Sequence, residues 1–199
     1  MKCKICGNQA VYKCVVCGKL FCGEHTKIRT VCPLCLRKNK LQYTITKAST
    51  EEERSCIREF VERFWQEQTQ LTFDEKFVVM KLPAYIAKVK SQTVGFVAFA
   101  EKEDSTIIVA LGVLPQYQNA GIGKGLIEAV EDEAKRLHKK KLLVSTSNDD
   151  LPALAFYQRL GFQIYDVKPN VIAEKHGAIL KGIGGIPIRD ELRLQKALS

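Results

Sequence analysis

Residues 118–125 read QNAGIGKG, directly after a β-branched stretch ending GVLP and directly before LIEAVEDEAKRL, whose apolar positions recur at helical spacing. Glycines between a strand and a helix start let backbone N–H groups close on an anion. The spacing excludes two common phosphate loops. A Walker loop needs a glycine five positions before Gly123 and a Ser or Thr after Lys124; here those positions hold Gln118 and Gly125. A Rossmann turn needs G-x-G-x-x-G inside a parallel unit. Here the third glycine comes one residue early, and the stretches upstream read as antiparallel strands.

Those stretches are AYIAKVK (84–90), TVGFVAFAEK (93–102) and STIIVALGVLP (105–115), separated by the short polar turns SQ and ED. They predict a meander. Before it, LQYTITKA (41–48) has strand character, and STEEERSCIREFVERFW carries Ser49 and Glu52 at capping-box spacing. Cys56, Ile57, Phe60, Val61, Phe64 and Trp65 form an apolar stripe along that helix, with Cys56 as a small core residue. After the glycine loop, Ile122, Leu126, Val130, Ala134 and Leu137 share one face and predict a helix of about five turns. LLVST (142–146), FQIYDV and RDELRL read as strands, LPALAFYQRLGF as a short helix stopped by Gly161, and GAILKGIGGIPI (177–188) as a mobile loop. The order predicts an α+β fold with a mixed sheet.

The loop fits a different pattern, Gln118-x-x-Gly121-x-Gly123 preceded by Val113-x-Pro115. Twenty-five residues on, NDDLPALAFYQRLGF places Asn148, Ala153, Phe156, Tyr157, Gly161 and Phe162 in a second fixed order. With these two motifs, residues 41–199 resemble the GCN5-related N-acetyltransferase (GNAT) superfamily. The resemblance implies a mostly antiparallel sheet flanked by helices and acetyl-CoA as co-substrate. It implies that Gln118, Asn119, Ala120, Gly121, Ile122, Gly123 and Lys124 cradle the pyrophosphate, that the pantetheine arm pairs with the strand through Leu111 and Val113, and that Asn148 supports that arm. It also implies direct attack by an amine, an oxyanion donor in the backbone N–H near Val113, and Tyr157 as the acid that protonates the leaving thiolate. A phenol's ordinary pKa of about 10 suits that role. The strand TIIVALGV holds no carboxylate, so no general base is assigned; Glu101, Glu103, Asp104, Asp190, Glu191, His176 and a water chain stay open.

The first 35 residues pose a separate problem. They hold CKIC at 3–6, CVVC at 14–17, CGEH at 22–25 and CPLC at 32–35. Two intervening residues let both members of a pair reach one tetrahedral ion, and thiolates with an imidazole suit zinc. Eight ligands make two structural Zn2+ sites. The pairs could bind sequentially or interleave; the favoured arrangement interleaves them, with Cys3, Cys6, Cys22 and His25 on one ion and Cys14, Cys17, Cys32 and Cys35 on the other. Such a segment resembles B-box, AN1 and HIT-type cross-brace fingers. Residues 1–40 carry nine Lys or Arg against one acid, whereas residues 41–199 carry 22 against 21. The composition shift predicts two domains, a zinc finger over 1–40 and an acetyltransferase over 41–199.

The basic finger allows contact with an acidic protein surface or nucleic acid, but no aromatic-interleaved basic stretch supports base stacking. We therefore expect it to dock a protein acceptor. No apolar run approaches the roughly 20 residues of a membrane span, and no secretory h-region opens the chain; a cytoplasmic protein is expected. The acceptor amine and the oligomeric state stay open. A competing reading is an acyl-CoA sensor or scaffold without efficient turnover.

Overall fold

A computed structural model describes residues 1–14, 18–22 and 41–198 of the 199. Its strands are β1 (Tyr12–Lys13), β2 (Leu20–Phe21), β3 (Thr44–Lys47), β4 (Thr69–Thr72), β5 (Glu75–Val78), β6 (Ala84–Val89), β7 (Gln92–Glu101), β8 (Ser105–Val113), β9 (Lys141–Ser147), β10 (Gln163–Lys168), β11 (Leu180–Lys181), β12 (Pro187–Ile188) and β13 (Glu191–Ala197). Its helices are α1 (Glu51–Phe64), α2 (Ile122–Arg136), α3 (Leu151–Arg159) and α4 (Val171–His176). Seven strands form one sheet in the order β10-β13-β9-β8-β7-β6-β3. β3 runs antiparallel to β6, and β13 antiparallel to both β9 and β10. Two- and three-residue turns join β6, β7 and β8, which only antiparallel neighbours permit. β9 pairs parallel with β8, and the crossover this requires contains α2. The fold is mixed α+β, a large and mostly antiparallel sheet flanked by helices.

The chain divides into two compact units. The first comprises Met1–Gln66, Ala84–Val97 and Leu111–Ala129. Its core is built by α1, which buries Ile57, Phe60 and Val61. Phe60 and Trp65 meet Phe96 edge-on, with centroids at 5.5 and 6.0 Å. Cys56 sits half-buried at the margin of this stripe, in a groove with Glu59, Arg63 and Gln92, rather than in the core. The capping box lies one residue later than its sequence signature: the Thr50 hydroxyl accepts from Glu53 N–H at 3.2 Å, and Glu53 accepts from the N–H of Thr50 and Ser49. Thr50 and Glu53 repeat the Ser49–Glu52 spacing, so the pattern fits both frames.

The second unit comprises Glu67–Pro83, Ala98–Ala110 and Val130–Ser199. Phe77, Ala100, Ile107 and Leu143 form a buried cluster in it, joined by Phe73, Leu82 and Val109. The β4–β5 hairpin has no sequence signature. Its two-residue turn, Phe73–Asp74, takes φ of 52° and 62°, a geometry that favours Asn-Gly. External partners hold it instead. Glu191 Oε1 accepts from Phe73 N–H and from the Thr72 hydroxyl, and the Arg193 guanidinium lies under the Phe73 ring and 2.9 Å from Asp74.

Two further expectations change. α2 spans 15 residues, about four turns rather than five. Its chain leaves the helix where His138 takes φ 56°, so HKKK lies beyond it. Residues 177–188 form a small hairpin, β11 against β12, rather than a mobile loop. The Asp149 carboxylate accepts the Ile183 N–H at 2.9 Å, and a Cβ at Gly182 would overlap that carboxylate. Among the described residues, no helix is long and apolar enough to cross a membrane.

Candidate functional site

In the first unit, β8 runs into a 3-10 turn at Pro115–Tyr117, then the loop, then α2. Three features shape the loop. Gln118 Nε2 donates to the Val113 carbonyl at 3.1 Å, tying the loop to the end of β8. Asn119 and Gly121 take φ of 61° and 88°, the region where glycine is favoured and asparagine tolerated. The Gly121 carbonyl accepts the Gly125 N–H at 2.9 Å and so opens the helix ladder. The N–H groups of Ile122, Gly123 and Lys124 then belong to a helical first turn, which has no carbonyl of its own helix to bond. The macrodipole adds partial positive charge there. Lys124 pairs with Glu128 at 3.3 Å, both well exposed; such a pair is weak, so the ammonium can turn to an anion.

The end of β8 offers further donors. Leu114 N–H bonds Val94 O of β7 at 2.9 Å. By the alternation of an antiparallel ladder, Leu111 and Val113 direct their N–H groups away from β7. The Val113 carbonyl accepts from Gln118 on that same side.

In the second unit, the parallel register of β8 and β9 runs from Ser105↔Lys141 to Ile108↔Val144. β9 continues beside β13 as far as Ser147, so the two strands part after Ile108.

Asn148 follows β9. Its Oδ1 accepts from Arg189 and Asp190 N–H at 2.9 and 3.0 Å, and its amide donates to Pro187 O at 2.9 Å. The side chain therefore clamps the 187–190 segment through three hydrogen bonds, with one amide hydrogen beyond them.

Tyr157 lies on α3, whose N-cap Asp150 accepts the Ala153 N–H at 3.0 Å. Its ring is buried between Phe156 and Phe162, with centroids at 5.2 and 5.7 Å. Burial, and then the Asp150 carboxylate, push its phenol above the ordinary range. The group stays protonated and is a weaker acid than a free phenol.

Three of the open base candidates, Glu191, Asp190 and Asp104, are engaged. Both oxygens of the buried Glu191 are occupied, Oε1 by Thr72 and Phe73, Oε2 by Arg193 Nε at 2.9 Å. Asp190 accepts from Asn170 N–H, and Asp104 pairs with Lys140 on the surface.

At the N-terminus the structure brings the sulfurs of Cys3, Cys6 and Cys22 within 4.8 Å of one another. Two turns share one hydrogen-bond pattern. Cys3 N–H bonds Asn8 O and Gly7 N–H bonds Cys3 O; Cys14 N–H bonds Lys19 O and Gly18 N–H bonds Cys14 O. Gly7 and Gly18 take φ of 77° and 69°. Desolvation raises the Cys3 thiol, but the N–H groups of Cys6, Ile5 and Cys22 outweigh it and draw the thiol down to about 6. Cys14 is buried with Cys3, Phe21 and Cys22 in a small cluster. Cys17, His25, Cys32 and Cys35 lie outside the described residues.

Comparison with known proteins follows the same division. The Acetyltransferase (GNAT) family matches residues 46–162, which contain the loop, Asn148 and Tyr157 and exclude the cysteine segment. The uncharacterized protein YxbD of Bacillus subtilis is 34% identical over 112 residues, 54% of this chain and 69% of that protein. The IAA acetyltransferase from Bacillus cereus superposes with TM-score 0.66 at 22% identity, over 79% of this chain and 100% of that one. A GNAT family acetyltransferase from Elizabethkingia anophelis with acetyl-CoA bound superposes with TM-score 0.59 at 22% identity, over 78% and 98%. With a strand, a glycine loop and a helix start in succession, and a family match across both motifs, the chain belongs to the Acetyltransferase (GNAT) family.

Proposed function

We propose that this acetyltransferase moves an acetyl group from acetyl-CoA to an amine by direct attack, with residues 41–199 as the catalytic domain. The observation that carries the reading is the loop: left-handed at Gly121, tied back by Gln118, and opening a helix after the β8 strand that carries Leu111 and Val113. In this reading the first-turn N–H groups of Ile122, Gly123 and Lys124 take the pyrophosphate, with Asn119 and Ala120 shaping the loop. Leu111 and Val113 pair with the pantetheine arm, and Asn148 offers its remaining amide hydrogen. The acceptor nitrogen attacks the thioester carbon, and the Val113 N–H stabilises the oxyanion. The C–S bond breaks, Tyr157 gives its proton to the departing thiolate, and the amine proton passes to solvent. The fold neighbour from Elizabethkingia anophelis, with acetyl-CoA bound, supports the choice of co-substrate.

The cysteine segment fits two Zn2+. Cys3, Cys6 and Cys22 come from the first and third pairs, as interleaved ligation requires; this reading assigns His25, outside the described residues, as the fourth ligand. The repeated turn at Cys14–Gly18 suits a second ion on Cys14, Cys17, Cys32 and Cys35. Bound metal would supply the stability that so short a segment cannot obtain by burial. Lys2, Lys4, Lys13 and Lys19 are exposed, so the finger presents a basic face to an acidic segment of a protein acceptor in a cytoplasmic setting.

One observation favours the alternative, an acyl-CoA sensor: β8 has no carboxylate and Glu191 is fully engaged. An acceptor screen separates the two. The full chain with acetyl-CoA is assayed for thiol release against lysine peptides, peptide N-termini, polyamines and amino acids. Release that depends on one amine class supports the transferase; binding without release from any of them supports the sensor.

A further inference from the structure

The finger and the glycine loop meet within the first unit. Ala120, between the left-handed Asn119 and Gly121, packs against the buried cluster of Cys3, Cys14, Phe21 and Cys22. From the linker before β3, the Tyr43 hydroxyl donates to the Gly121 carbonyl at 3.2 Å. That carbonyl also receives the Gly125 N–H, so two donors fix the peptide that turns the chain into α2. The helix is shaped for this contact. A Cβ at Gly125 would lie 2.9 Å from both the Tyr43 hydroxyl and Ile45 Cδ1, so the two side chains would have to move off the helix to admit one. The third glycine of QNAGIGKG, which neither phosphate-loop pattern needs, is the site where Tyr43 and Ile45 approach the helix. Burial, then Glu128, push the Tyr43 phenol up, so it remains a donor.

A non-glycine residue in the left-handed region, as Asn119 is, costs free energy that surrounding structure must offset. The supports on either side of the loop include the finger core at Ala120 and Tyr43 at Gly121. We propose that Tyr43 and the metal-loaded finger are positioning elements of the cofactor loop, so that metal occupancy sets the affinity for the coenzyme pyrophosphate. The inference rests on the loop and the finger having the roles given above. It makes the finger part of the coenzyme site as well as a surface for an acceptor.

The test measures CoA binding by calorimetry on the full chain: as purified, stripped of metal by chelation, reloaded with zinc, and as Tyr43→Phe and Gly123→Val. Zinc content is assayed on the same samples, and amide exchange is followed over residues 119–124. Tyr43→Phe keeps the ring and loses one hydrogen bond, so CoA Kd rises roughly 3- to 10-fold. The acetyl-CoA KM rises in step, kcat stays level, and exchange at 119–124 speeds up. Stripping weakens CoA binding by at least as much, and zinc restores it. Gly123→Val is the control for the loop. If it binds CoA like the wild type, the pyrophosphate reading of the loop is wrong. If Gly123→Val loses binding while Tyr43→Phe and the stripped chain bind and exchange normally, the positioning role is wrong. A chain that takes up no zinc removes the metal half alone, and Tyr43→Phe then decides the rest.

Discussion

Tyr157 carries the proton in the proposed chemistry, and its surroundings make a specific demand on pH. Its phenol is raised by burial and by Asp150. A raised pKa keeps the donor protonated to higher pH, so the acid form persists beyond the ordinary phenol range of about 10. A pH–kcat profile should therefore show no descending limb from this group below about pH 10. Tyr157→Phe should lower kcat by roughly 100-fold or more, a typical loss for a general acid, while the Kd for acetyl-CoA stays unchanged. A Tyr157→Phe enzyme with full turnover would remove the residue from the mechanism. Glu53 makes the opposite titration. The Lys88 ammonium, with the Ser49 and Thr50 N–H groups, holds its carboxylate down at about 2. Its stabilisation is complete above the unfolded carboxylate range and is lost as pH falls through about 2. Glu53→Gln should destabilise the chain by about 1 kcal/mol at pH 7, and urea melts should show the difference closing between pH 4.5 and 2.

Among the elements, the 177–188 hairpin depends on the two residues that follow β9. Asn148→Ala strands two backbone N–H groups, Arg189 and Asp190. It should cost about 1–3 kcal/mol and speed amide exchange across β11 and β12. Unchanged exchange there would show that the clamp is not what orders the hairpin. The same hairpin explains what a sequence conceals. GAILKGIGGIPI has no alternation to reveal a strand, because its order comes from Asn148 and Asp149, some thirty to forty residues away in the chain. The β4–β5 hairpin is silent for the same reason: Phe73–Asp74 is a poor turn sequence held by Glu191 and Arg193. The legible elements were those whose signal is local. α1 has its stripe and box, α2 its single apolar face, and β6 to β8 their β-branched runs with polar turns. The loop was legible as a glycine spacing. Its attachment to Ala120's neighbours and to Tyr43 was not, because those contacts join residues separated by about a hundred and by 78 positions.

For the whole molecule, two composition regimes divide the chain. The family match begins at residue 46, after the cysteine segment, and the charge imbalance lies before it. Native mass spectrometry should find two zinc ions per chain; one ion, or none, would revise the interleaved ligation built on Cys3, Cys6 and Cys22. The central claim, amine-dependent acetyl transfer, has a direct measurement. The full chain is mixed with acetyl-CoA and the best amine from the acceptor screen, and free CoA thiol and acetylated amine are quantified together over time. The account predicts one thiol per acetylated amine, no thiol release without the amine, and loss of both products in Tyr157→Phe. Acetyl-CoA that binds but yields neither product with any amine would contradict it.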